Sequence, residues 1–184
     1  MRETDSILLQ CLATTSLLGE LRNSNFLQSE YFAKLPFANE DVKEILLRSG
    51  LGNPATMQMM LYALLAIPKE RLLREDYDEL EKMFSPRINV LTRAIVEKET
   101  TSTYQGEGTL ADIDYFYHIR NAVAHSRCHF SSENNKNYVT FEDWMPGKKG
   151  TCFIKMESYK IGYVLMELQR LIMEHYNKTN DNDE

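Results

Sequence analysis

Proline and glycine are scarce in this 184-residue chain, at five and eight residues. That excludes a collagen-like or linker-dominated protein. Cysteine is scarcer still. Cys11, Cys128 and Cys152 are odd in number, far apart and without a CxxC pair. The pattern suggests neither a disulfide framework nor a cysteine-based zinc site, and it fits a reducing cytoplasm. Long apolar runs are missing too. The longest, Met57 to Ile67, is interrupted by Gln58, whereas a bilayer span needs about 20 residues. Near the start, Glu3, Asp5 and Gln10 do not fit a signal peptide. A soluble, cytoplasmic protein with no membrane association is therefore expected. Positive charge is also in deficit, with 21 Lys and Arg against 27 Asp and Glu, a net −6. Such a chain does not bind nucleic acid over its whole surface; any such site must be a local basic patch.

What is present suffices for a core. The chain is 43% hydrophobic and 26% charged, ordinary values for a globular protein. One domain over residues 1–176 is expected, followed by a flexible polar tail, 177–184. Ile7, Leu8, Cys11, Leu12, Thr15, Leu18 and Leu21 recur at helical spacing. Asn39 to Ser49 reads as a helix between an N-cap and Gly50, and Asn53-Pro54 starts another. Pro68 is expected to end that one. Glu75 to Phe84 and Arg87 to Lys98 read as two helices divided by Ser85-Pro86, and Glu99 to Gly108 as a loop. Helical periodicity resumes from about Leu110 to Ala124.

The pattern then changes. Cys128 to Ser131, Tyr138 to Trp144 and Thr151 to Ile154 are short and rich in aromatic or β-branched residues. Turn compositions separate them, so a small antiparallel β-meander is expected at about 127–156. A final helix runs from about Ser158 to Tyr176.

The stretch with chemical content is Tyr115 to Arg127, YFYHIRNAVAHSR. Asn121 and His125 are one helical turn apart, and Arg120 lies about 140° around from His125. Arginine binds nonbridging phosphate oxygens bidentately, and histidine moves protons near neutral pH. The pair suits a phosphodiester. Composition alone produces R-N-x3-H only ~0.01 times in such a chain. From Tyr115 to Lys160 there are seven cations against four anions, a local +3 on an acidic protein. A structural alternative has Arg120 and His125 capping a helix end and pairing with Asp112 or Asp114.

RNAVAH, inside HIRNAVAHSRCHF, resembles the R-[polar]-x3-H motif of the HEPN superfamily. The insertion that follows, with FEDW in it, looks like that of standalone HEPN proteins of plasmids and mobile elements. The resemblance implies a mainly α fold, a HEPN-like helical bundle with the β-meander inserted before the last helix. It also implies a homodimer through the motif helix and metal-independent cleavage of RNA by 2′-OH attack. A role in phage defence or as a toxin would follow, with any antitoxin or regulatory partner unknown. On this reading Arg120, His125 and Asn121 are the catalytic residues, and Arg127, Lys148 and Lys149 bind RNA phosphates. No metal ligand and no cofactor are assigned. His118, His125 and His129 share a helical spacing, but His129 is expected in a strand. HEPN toxins that pair with a nucleotidyltransferase often carry Tyr two residues after the histidine, where this chain has Arg127. The alternative within the family is a non-catalytic HEPN dimer that binds RNA or nucleotide, or acts as a regulatory or scaffold module.

Overall fold

A computed structural model describes residues 3–144, 146–147 and 150–181. The first helix, α1 (Glu3–Asn23), buries Leu8, Leu12 and Thr15. Thr15 turns its hydroxyl back to the Cys11 carbonyl at 2.8 Å and accepts from Gln169 at 3.2 Å. A buried hydroxyl thus has partners on two helices. Next comes α2 (Glu30–Lys34), capped by Ser29, which buries Phe32 against Phe26 and Phe37. The α3 helix (Glu40–Ser49) has the expected caps: Asn39 accepts from the Asp41 N–H, and Gly50 takes φ 71°. It buries none of its residues.

Two proline expectations need correction. The α4 helix (Pro54–Leu61), capped by Asn53, does not stop before Pro68. It passes through a π-helical stretch, 62–66, into α5 (Ile67–Arg71). Within that stretch the Ile67 N–H reaches back five residues to the Tyr62 carbonyl. The wider turn absorbs the register that a proline upsets. Likewise, Ser85-Pro86 does not divide two helices. The α6 helix (Arg74–Ile95) runs through with Pro86 inside it. Tyr77, Leu80, Phe84, Ile88 and Thr92 form one buried stripe along both halves, and burial of that stripe outweighs the lost backbone hydrogen bond.

The expected loop after α6 contains a two-residue strand, β1 (Thr101–Ser102). Turns occupy Leu110 to Asp112, so the motif helix α7 (Tyr115–Ala124) begins later than its periodicity suggests. Three features hold its start. Asp114 accepts from the Tyr117 N–H at 3.2 Å, Asn89 on α6 accepts from the Phe116 N–H at 2.8 Å, and Glu107 accepts from the Asp114 N–H at 3.1 Å. Three otherwise orphaned donors are satisfied in this way.

The meander follows as β2 (Cys128–Glu133), β3 (Lys136–Trp144) and β4 (Thr151–Glu157). The β2–β3 turn is Asn134-Asn135, with φ 51° and 62°, the left-handed pair a two-residue hairpin demands. The antiparallel sheet has order β1-β4-β3-β2. Val139, Phe141, Asp143, Cys152, Ile154 and Met156 lie on its buried face, which meets α7. A 3-10 turn, 158–160, leads into α8 (Ile161–Asp181), which extends past Tyr176 into the stretch expected to be tail. It buries Ile161, Val164, Leu165, Leu168, Leu171 and Ile172 in the core shared by α1, α4, α6, α7 and the sheet. No helix among the described residues is long and apolar enough to cross a membrane.

Candidate active site

The site residues lie along α7 and just beyond it, and they divide sharply by exposure. Arg120 is buried, with only 7% of its side chain exposed. Its Nη1 donates to the Tyr77 hydroxyl and to Glu81 Oε1, both at 2.8 Å and both on α6. Nη2 donates to Asn121 Oδ1 at 3.1 Å. The guanidinium carbon lies 5.0 Å from the Tyr117 ring centre and 5.9 Å from that of Tyr77. Partners and rings together compensate for burying a charge. They also correct the structural alternative: Arg120 pairs with Glu81, whereas Asp114 caps the helix and Asp112 binds Thr109.

Asn121 bridges two groups. Its Oδ1 accepts from Arg120, and its Nδ2 donates to Asp143 Oδ2 at 3.1 Å. Asp143 in turn lies 2.7 Å from Nδ1 of His118, whose Nε2 sits 3.0 Å from both Glu107 carboxylate oxygens. With both ring nitrogens facing carboxylates, the imidazolium is the form that satisfies every partner. Burial pushes the His118 pKa down, but hydrogen bonds and charge from Asp143 and Glu107 outweigh it and raise it above the ordinary value. The two carboxylates mirror this. Burial would raise them, yet Ser102, the Asp114 N–H and His118 hold Glu107 low, while His118 and Asn121 hold Asp143 low. A continuous polar chain thus runs from Glu107 through His118, Asp143, Asn121 and Arg120 to Glu81.

His125 is different. It is the C-cap of α7, and it is exposed. The Ser126 N–H reaches the Val123 carbonyl at 3.1 Å and the Arg127 N–H reaches that of Ala122 at 2.7 Å. This is a Schellman ending, with Ser126 at φ 55° where glycine is usual. The His125 imidazole makes no hydrogen bond or ion pair among the described residues. It faces solvent, while the Arg120 guanidinium turns inward to α6. Within one chain the two do not converge.

Arg127 packs its guanidinium 3.8 Å from the Trp144 ring centre and donates to the Trp144 carbonyl at 2.5 Å. Trp144 is 39% exposed beneath that arginine. Lys148 and Lys149 lie outside the described residues. His129 is in β2 beside Glu142, so the three motif-region histidines do not share a face. Burial pushes the Cys128 thiol up to about 12, which does not suit a nucleophile. A cleft of about 380 Å³ lies between the start of α4 and the β2–β3 hairpin, with none of these residues in its lining.

Sequence reasoning passed over Glu107, Asp143, Tyr77 and Glu81, and weighed His118 only as one of three spaced histidines. One signal was available for Asp143. It continues the alternation of Val139 and Phe141, and so places a carboxylate at an inward position. The Glu81 partnership had none, because 39 residues separate it from Arg120.

A helical bundle with an R-N-x3-H helix and a sheet inserted before the last helix defines a HEPN-type protein. A profile of the family described as HEPN pEK499 p136 matches residues 3–179. The chain belongs to that HEPN family. No curated protein and no solved structure gives a match.

Proposed function

We propose that the chain is a metal-independent endoribonuclease of HEPN type, with residues 1–176 forming one domain and two copies meeting along the end of α7. The observation that supports this most is His125, an exposed imidazole at the helix C-cap, five residues beyond a buried and oriented arginine. In a dimer, one His125 takes the proton from a ribose 2′-OH as that oxygen attacks the adjacent phosphate. The partner's His125 returns a proton to the leaving 5′-oxygen. The products are a 2′,3′-cyclic phosphate and a 5′-OH end, and DNA, lacking the 2′-OH, is not cut. Arg120 stabilises the charge on the phosphorane by exchanging Glu81, whose side chain is 34% exposed, for phosphate oxygens. Asn121 keeps that guanidinium in place during the exchange. Arg127, Lys148 and Lys149 bind flanking phosphates.

A second reading, a non-catalytic HEPN dimer that binds RNA or nucleotide or acts as a scaffold, is favoured by the tight pairing of Arg120 with Glu81 and Tyr77. Labelled total RNA or tRNA incubated in EDTA distinguishes the two. The nuclease reading expects cleavage with cyclic-phosphate ends, lost in His125→Ala and Arg120→Ala while light scattering still shows a dimer. The decisive variant is His125→Ala, because an exposed imidazole is removed without disturbing the core. Cleavage that survives it, or no cleavage of several RNAs, overturns the mechanism and leaves the binding module.

A further inference from the structure

The buried face of the sheet is apolar except at one end. Register sets Ser102 opposite Cys152 and Cys152 opposite Asp143. Three polar side chains on three adjacent strands thus form a row across β1, β4 and β3. Beyond it, Val139, Phe141, Ile154 and Met156 fill the same face. His118 reaches this row from α7, and Glu107 reaches it from the loop between β1 and α7. One donor atom each from Glu107, His118 and Cys152 lies within 4.8 Å of the other two. Cys152 is 1% exposed and His118 2%.

We propose that Glu107, His118 and Cys152 form a binding site for a borderline-soft divalent cation of the zinc class, with Asp143 orienting the histidine from behind. Carboxylate, imidazole and thiolate together are donors such an ion accepts. Asp143 holds Nδ1 and so commits Nε2 to the ion, the carboxylate–histidine–metal arrangement. Two ligands of a tetrahedral zinc lie roughly 3.3–3.6 Å apart. His118 Nε2 and the Glu107 oxygens already lie 3.0 Å apart, and all three donors lie within 4.8 Å of one another. Three protein donors leave a fourth position for water.

Charge explains how one cluster serves both states. Without metal, an imidazolium and a neutral thiol accompany two carboxylates. The dication displaces one proton from His118 Nε2 and one from Cys152 Sγ, so two positive charges replace two and the net charge is unchanged. The ion ties the Glu107 loop, α7 and β4 together two residues before Arg120. It stands apart from His125 and takes no part in the proposed RNA chemistry.

The test strips the full-length protein with chelator, dialyses it and titrates it with Co²⁺ and then Zn²⁺. Expected are one ion per chain, a thiolate-to-Co²⁺ charge-transfer band in the near ultraviolet, and a Tm that rises with free Zn²⁺. Cys152→Ser abolishes the band, Cys128→Ser and Cys11→Ser keep it, and Asp143→Asn retains it with affinity roughly 10–100-fold weaker. The wild-type Co²⁺ band and the rise of wild-type Tm with Zn²⁺ stand even if Cys152→Ser folds poorly. Absence of the band in wild type, its survival in Cys152→Ser, or a wild-type Tm unchanged by Zn²⁺ overturns the site.

Discussion

The two ends of the motif differ in almost every physical respect. Around His118, Arg120 and Asn121, each polar side-chain group has a partner on another element: Glu107 from a loop, Asp143 from β3, Tyr77 and Glu81 from α6. Around His125 the helix has ended, the imidazole faces solvent, and only backbone bonds hold it. One short motif thus combines a rigid, desolvated electrostatic frame with an accessible titratable group. In the proposed reaction the open end supplies the proton carrier, and the fixed partners keep the guanidinium oriented while phosphate replaces Glu81.

The sharpest way to break this contrast is to truncate a histidine at each end. His118→Ala leaves Glu107 and Asp143 facing each other without a cation. Breaking a buried charge pair costs roughly 3–5 kcal/mol, which at about 2–4 °C per kcal/mol lowers the Tm by roughly 6–20 °C. His125→Ala stays within about 0.5 kcal/mol, as exposed substitutions do. Equal Tm losses in thermal unfolding would abolish the distinction.

The same cluster sets a pH dependence in metal-stripped protein. Glu107, Asp143, Cys152, Tyr104 and Tyr117 face His118, and the two carboxylates dominate. The folded-state pKa of His118 is raised. Its contribution is complete below the unfolded value near 6.5 and is lost as pH rises through the folded value. Glu107 and Asp143 are lowered, so theirs is complete above the unfolded carboxylate range and lost as pH falls through their folded values. Tm against pH should show a plateau between these windows, and the alkaline fall should vanish in His118→Phe.

At Arg120 the effect is smaller because Glu81 is partly exposed and water can solvate it once unpaired. Arg120→Met should cost about 1–3 kcal/mol. A double-mutant cycle with Glu81→Gln should show about 0.5–3 kcal/mol of coupling. Additive changes would mean that the pair is not an energetic unit. The smallest change lies at the open end. Ser126 holds φ 55°, a left-handed conformation that glycine adopts freely. Ser126→Gly should raise stability by about 0.5 kcal/mol and move Tm by one or two degrees. A fall instead would show that the serine side chain supports the turn.

Much of this was legible from local patterns. Asn39, Gly50 and Asn53-Pro54 marked helix ends correctly because capping is decided within a few residues. The meander was visible in its β-branched and aromatic runs and its Asn-Asn turn. Pro68 and Pro86 misled, because a local helix breaker was overridden by burial of one continuous apolar face. The role of Arg120 was only half legible. Its position in R-N-x3-H pointed to phosphate chemistry, but its partners lie on another helix.

By itself, the sequence determined the HEPN family, the run of helices followed by the meander and a last helix, and which residues form the motif, since these depend on neighbours along the chain. The tertiary structure alone decided that Arg120 faces inward, that His125 remains open, and that Glu107, His118, Asp143 and Cys152 meet. Those outcomes depend on which helices and strands pack against α7. Charges 11 to 39 residues apart in the chain become neighbours only after burial has placed their elements side by side.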